Sequence, residues 1–203
     1  MAVKLKSITI KDGNWLCTMP AFPVGHTISF DPSITWIVGE NGCGKSSLLN
    51  LLMQSGENKR KEKPMGFSLE MTPPDGETEI RFFDTEKMNP RVKGTCETMY
   101  DVAIIMAHPS HGQVLFPIID ALRSNPSLHN CVSLIDEPEA GISPWNQKKL
   151  IESFETATRD KGIQLIVATH SIIFMQSGIG SVLDLNERPA RLIPSLEFKV
   201  FAP

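Results

Sequence analysis

Residues 34 to 54 read Ile-Thr-Trp-Ile-Val-Gly-Glu-Asn-Gly-Cys-Gly-Lys-Ser-Ser-Leu-Leu-Asn-Leu-Leu-Met-Gln. An apolar run, Ile34 to Val38, feeds a glycine-rich turn, and Lys45 and Ser46 then open a leucine-rich segment predicted to be helical from Lys45 to Gln54. The glycines let successive backbone N–H groups turn toward one anion, the lysine reaches terminal phosphates, and the serine hydroxyl can bind Mg²⁺. A strand before the turn and a helix after it supply the context such a loop needs. Gly39, Glu40, Asn41, Gly42, Cys43, Gly44, Lys45, Ser46 and Ser47 are therefore read as a phosphate cradle.

A second apolar run, Cys131 to Ile135, ends in Asp136, Glu137 and Pro138. In a parallel α/β sheet this places the carboxylates at the strand's carboxyl edge, beside the phosphate loop, where such sheets build their ligand sites. Asp136 can hold the water shell of Mg²⁺, and Glu137 can orient or deprotonate an attacking water. A third strand, Ile163 to Ala168, ends in Thr169, His170 and Ser171, and His170 can act there as a donor that senses a terminal phosphate. Between these strands Ser143 is suited to cap a helix and Pro144 to occupy its first position, with Leu150, Ile151, Phe154 and Ala157 as the buried stripe.

Taken in order, Gly39–Ser46, Asp136–Glu137–Pro138 and Ala168–Thr169–His170 resemble the nucleotide-binding domains of the ABC superfamily. The chain looks closer still to the small soluble bacterial and phage ATPases labelled "AAA family", whose core is ABC-like. The strings that carry the resemblance run from Gly39 to Leu49, Ser110 to Gln113, Asp136 to Pro144 and Ala168 to Ser171. The resemblance implies an α/β P-loop NTPase fold: an ABC-ATPase-like mixed sheet, a small antiparallel β subdomain and a short helical insertion at about 87–125. It also implies Mg-ATP binding and hydrolysis, with Lys45, Glu137 and His170 catalytic and Ser46, Asp136 and Glu86 serving Mg²⁺. Glu86 would stand where the superfamily carries a metal-contacting glutamine; an alternative is a solvated turn there, and Gln54 is a second candidate.

In that family a second subunit closes over ATP through a signature segment, and Ser110, Gly112 and Gln113 are the matching positions, acting in trans. A Ser/Gly turn at a helix start is an anion site in its own right. His111 departs from the transporter-type signature, and Pro117 follows closely, where it would kink or delay the ensuing helix. The implied partnership is an ATP-dependent homodimer acting as engine or switch for a protein partner. Two alternatives stay open: an ATP-binding subunit for a separate membrane protein, and a slow nucleotide switch in DNA metabolism or phage defence. The Ser-His-Gly-Gln string tilts the reading toward a soluble relative.

The 203 residues, 41% hydrophobic and 21% charged, suit a single globular domain over 1–203. No apolar run of membrane-spanning length and no secretory leader can be read, so the expected compartment is the cytoplasm, with Cys17, Cys43, Cys96 and Cys131 as reduced thiols. A net charge of −3 speaks against a chain dominated by nucleic-acid binding, although the run Glu57 to Lys63 could be either a solvated loop or a phosphate-backbone contact. The span from Ser46 to Ser110 is too short for the heptad arms of rod-forming relatives.

Elsewhere Val3 to Ile10 and Ile28 to Phe30 read as strands, and Gly66 to Met71 with Glu77 to Phe83 as an antiparallel pair joined by Thr72-Pro73-Pro74-Asp75-Gly76. Cys96, Met99, Tyr100, Ala103 and Ile104 have helical spacing, yet Val102 to Ala107 could also be a strand, and Ser181 to Leu185 and Leu196 to Phe201 read as terminal strands. Trp15 and Phe22 could stack on a base or sit in the core.

Overall fold

The computed structural model describes residues 4–58, 66–72, 80–84 and 131–200. Its strands are β1 (Lys4–Ile10), β2 (Thr27–Ser29), β3 (Ile34–Val38), β4 (Phe67–Thr72), β5 (Ile80–Asp84), β6 (Val132–Asp136), β7 (Gln164–Ala168), β8 (Ser181–Asp184) and β9 (Arg191–Pro194). Helices α1 (Lys45–Asn58), α2 (Pro144–Lys161) and the short α3 (Ile172–Met175) follow β3, β6 and β7, and a 3₁₀ turn covers Trp15–Thr18. This is the P-loop NTPase fold: a six-stranded sheet in the order β5-β6-β7-β3-β8-β9, parallel except for β9, beside a three-stranded antiparallel sheet β2-β1-β4.

The side-chain alternation of β3 explains how the large sheet holds two cores. Ile34, Trp36 and Val38 face α2 and α3, where Trp36 stacks on Phe174 at 5.3 Å between ring centroids and tilts against Phe154 at 6.0 Å. Ile37 faces the other way, into a cluster that joins Leu48, Leu49 and Leu52 of α1 to Leu5, Ile8 and Ile28 of the small sheet. Both faces of β3 are thus dry, which is why it reads as a continuous apolar run and not as an alternating one.

The two sheets are pinned together by one buried amide. Gln164 accepts a hydrogen bond from the Leu5 N–H (2.7 Å) and donates to the carbonyls of Leu5 and Asp31 (2.8 Å each). These bonds fall where the β1–β4 register shifts between Leu5 and Ser7, the place at which a bulge leaves main-chain groups in need of partners.

Two sequence expectations are corrected. The segments 66–71 and 77–83 do not pair with one another: β4 pairs with β1 antiparallel, whereas β5 joins the large sheet parallel to β6. Alternation shows that a segment is a strand but not which partner it takes, and a connection holding Pro73 and Pro74 suits a passage between sheets as well as a hairpin. The expected strand at Leu196–Phe201 is also absent from its described part. The strand lies earlier, at Arg191–Pro194, and Pro194 then accepts from the N–H groups of Glu197 and Phe198 in a turn that leaves Leu196 84% exposed. The helix α1 runs four residues past its expected end at Gln54.

Candidate functional site

The strand order gathers three loops at one carboxyl edge. β3 delivers the Gly39–Ser46 loop, β6 delivers Asp136 and Glu137, and β7, which delivers His170, lies between them. The acidic strand is therefore one place removed from the phosphate-loop strand, with the histidine strand as the intervening neighbour.

The Gly39–Ser46 loop is shaped by its glycines. Gly39, Gly42 and Gly44 have φ of 148°, 80° and 108°, in the region that L side chains avoid. Gly44 is required for a second reason: a Cβ there would stand 2.7 Å from Met19 Sδ and 2.8 Å from Phe22 Cε2. Phe22 is fully buried beneath the loop, so it supports the cradle and does not offer a face to a base; Trp15, by contrast, is half exposed rather than part of the core. Lys45, 6% exposed, donates from Nζ to the carbonyls of Gly39 (2.9 Å) and Glu40 (3.2 Å), which aims its ammonium along the mouth of the loop. Ser46 is exposed in the first turn of α1, Ser47 half-buried, and the Leu48 N–H bonds to the Gly44 carbonyl to start the helix.

The loop is also held from outside. The Glu40 N–H donates to Asn186 Oδ1 at 3.0 Å, and the Asn186 N–H in turn donates to Asp184 Oδ1 at 2.9 Å. A cavity of about 420 Å³ opens on this flank, lined in part by Asn41, Cys43, Asn186 and Arg188. The sequence offered no signal for Asn186, because its partner lies 146 residues away.

At the second loop β6 ends at Asp136, in register with Ala168, and the Glu137 N–H closes the pairing on the Ala168 carbonyl. Glu137 then takes φ 48°, the one non-glycine residue with positive φ among those described. A side chain in that region costs about 1–2 kcal/mol, a strain that collects at functional sites. The turn is fastened by N–H bonds from Ala140 to the Glu137 carbonyl and from Ile142 to the Glu139 carbonyl. Ser143 then caps α2 by accepting from the Asn146 N–H, with Pro144 at the helix start and Leu150, Phe154 and Ala157 buried.

Glu137 and His170 come together, with Glu137 Oε1 3.7 Å from His170 Nε2 and both side chains about two-fifths exposed at 42% and 39%. The separation exceeds a hydrogen bond, but a protonated imidazole would be attracted to the carboxylate across it. His170 is steadied by its neighbours: the Thr169 N–H donates to the Ile37 carbonyl, and the His170 N–H to Glu139 Oε1. Ser171 donates from its hydroxyl to Gln147 Oε1. Glu139 and Gln147 received no role in the sequence reading. Glu86, Ser110, Gly112, Gln113 and the insertion at 87–125 lie outside the described residues. No helix among the described residues is long and apolar enough to cross a membrane.

Two family models, curated relatives and solved structures resemble this chain. Residues 93–176 match the family described as "AAA domain, putative AbiEii toxin, Type IV TA system", and residues 21–68 match a second AAA-domain family. A Geobacter sulfurreducens protein named as an ABC transporter ATP-binding protein is 25% identical over 202 residues, which span 84% of this chain and 70% of the relative. A similarly named protein of Bacillus thuringiensis subsp. konkukian is 25% identical over 170 residues; the match spans 68% of this chain and only 30% of that relative's length.

Among solved structures, the fold is similar to an ATP-binding cassette seen as a post-hydrolysis dimer with ADP and Pi (TM-score 0.54, 18% identity, 97% of this chain and 100% of that one). It is also similar to a metal-chelate type ABC transporter in an inward-facing conformation (TM-score 0.55, 15% identity, 97% of this chain and 85% of that one). Together these findings support a P-loop ATPase of the ABC type.

Proposed function

We propose that the chain binds Mg-ATP on the Gly39–Ser47 loop and hydrolyses it, closing a dimer around the terminal phosphate and opening it after hydrolysis. One observation carries the reading: a strained glutamate and a histidine 3.7 Å apart stand at the carboxyl ends of adjacent parallel strands, and the next strand in the sheet bears the phosphate loop. The backbone N–H groups of the loop and the first turn of α1 receive the phosphates, and the Lys45 ammonium leaves its loop carbonyls to neutralise terminal charge. Glu137 accepts the proton of the attacking water as the new oxygen–phosphorus bond forms and the bond to ADP breaks. His170 donates to the terminal phosphate and registers its loss.

The residues present fit Mg²⁺. Ser46, exposed in the first turn of α1, and Asp136, at the end of β6, offer hard oxygen donors that would hold the ion beside the substrate phosphates. When bound, Mg²⁺ neutralises charge on the phosphate oxygens.

A single phosphate loop leaves the terminal phosphate open on one side, so Ser110, Gly112 and Gln113 of a second copy are the expected cover. Light-scattering mass for Glu137→Gln tests this, with Mg-ATP, with Mg-ADP and without nucleotide, each repeated with Ser110→Arg added. The expected result is a dimer only with Mg-ATP and only with Ser110 intact. A monomer throughout, or a dimer indifferent to nucleotide and to Ser110, would favour a switch completed by a different partner.

A further inference from the structure

We infer that Glu139 is a positioning residue that locks the histidine loop to the turn bearing Glu137, so that the two reacting side chains move as one unit. This rests on the hydrolytic reading above and assigns a role to a residue which that reading leaves without one.

The need for such a lock follows from the sheet. The β6–β7 ladder ends where Asp136 faces Ala168 and the Glu137 N–H bonds to the Ala168 carbonyl. At Glu137 the chain turns away through φ 48° and its carbonyl accepts from the Ala140 N–H, so the paired register stops short of the next N–H on the β7 side. That group belongs to His170, and the Glu139 carboxylate, returned by the turn, accepts from it instead. The acceptor is charged, and hydrogen bonds of this kind are roughly twice as strong as neutral ones.

The bond joins the two functional groups through a short path. Glu137 and Glu139 are two residues apart in a turn fastened by its own N–H bonds, and the His170 N–H belongs to the residue whose imidazole faces Glu137 at 3.7 Å. Without the carboxylate, the His170 N–H loses this acceptor, and among the described residues the histidine loop keeps the hydrogen bonds of Thr169 and Ser171.

The test compares Glu139→Ala with Glu139→Gln, which retains an oxygen acceptor in the same place. Glu139→Ala should lower kcat for Mg-ATP by about tenfold to a hundredfold, the scale of a small misplacement near the chemistry. ATP affinity by titration calorimetry should stay within about twofold, because the phosphate loop is untouched. Glu139→Gln should restore most of the lost kcat, and in a His170→Ala background Glu139→Ala should cost little more, because the pair acts as a unit. A readout independent of turnover is the His170 amide cross-peak of [¹⁵N]His-labelled protein, assigned with His170→Ala: Glu139→Ala should shift it upfield, and Glu139→Gln should shift it less.

An unmoved cross-peak, wild-type kcat in Glu139→Ala, or losses that simply add with His170→Ala would each overturn the role. Wild-type turnover in both Glu137→Gln and His170→Ala would instead bring down the hydrolytic reading, and this role with it.

Discussion

Two loops leave the same edge of the same sheet and solve their conformational problem in opposite ways. The Gly39–Ser46 loop uses glycine wherever φ is positive, at 148°, 80° and 108°. The turn after β6 places a glutamate at φ 48° and keeps its glycine for Gly141, at φ 75°. The difference reflects what each loop must present. An anion is held by main-chain N–H groups, so side chains there are expendable and glycine is the unstrained choice. A proton acceptor has to be a side chain, so the second loop carries the strain and fastens itself with hydrogen bonds from Glu137, Ala140 and Ile142 N–H groups.

The largest effect expected from this contrast is on the first loop. Lys45→Ala removes the buried ammonium now held by two loop carbonyls and should weaken Mg-ATP binding by about a hundredfold or more in titration calorimetry. Unchanged affinity would mean that the loop is a structural turn.

The second loop gives a smaller effect of unusual sign. Glu137→Gly should be more stable than Glu137→Ala by about 0.5–1 kcal/mol in urea unfolding, because glycine relieves the positive φ against its own entropic cost. Neither variant should turn over ATP. Equal stability of the two would show that the left-handed conformation at Glu137 costs no more than glycine's own loss of backbone entropy, and the contrast between the loops would fail.

The smallest effect concerns the support from outside. Asn186→Ala removes the acceptor of the Glu40 N–H and should cost about 1 kcal/mol of ATP binding, roughly a fivefold loss, with kcat little changed. A loss in kcat alone would place Asn186 in the chemistry instead of the loop's support.

The sequence was legible where chemistry is local. The strand, glycines, lysine and serine of 34–47 are contiguous, as are the acidic end of β6 and the Thr169-His170 end of β7, and the structure gathers all three loops at one edge. The cap at Ser143 and the stripe of Leu150, Phe154 and Ala157 were legible for the same reason, since helical spacing is written within a few residues.

What stayed hidden depends on partners far along the chain. Gln164 meets Leu5 across 159 residues, and Asn186 meets Glu40 across 146. Residues 66–83 have the alternation of strands, yet nothing local says that the first belongs to the small sheet and the second to the large one. Glu139 lay within a motif already singled out. Its role depends on the His170 N–H, a main-chain group that no side-chain pattern reveals.

The central claim is that Glu137 handles the water attacking ATP held on the Gly39–Ser47 loop. Single-turnover phosphate release from Mg-ATP, with protein in excess, tests it most directly on the wild type and Glu137→Gln. The account predicts that Glu137→Gln binds ATP with wild-type affinity and releases phosphate about a hundredfold more slowly or worse, the loss expected when general-base help is withdrawn. Equal rates of phosphate release from the two proteins would contradict it.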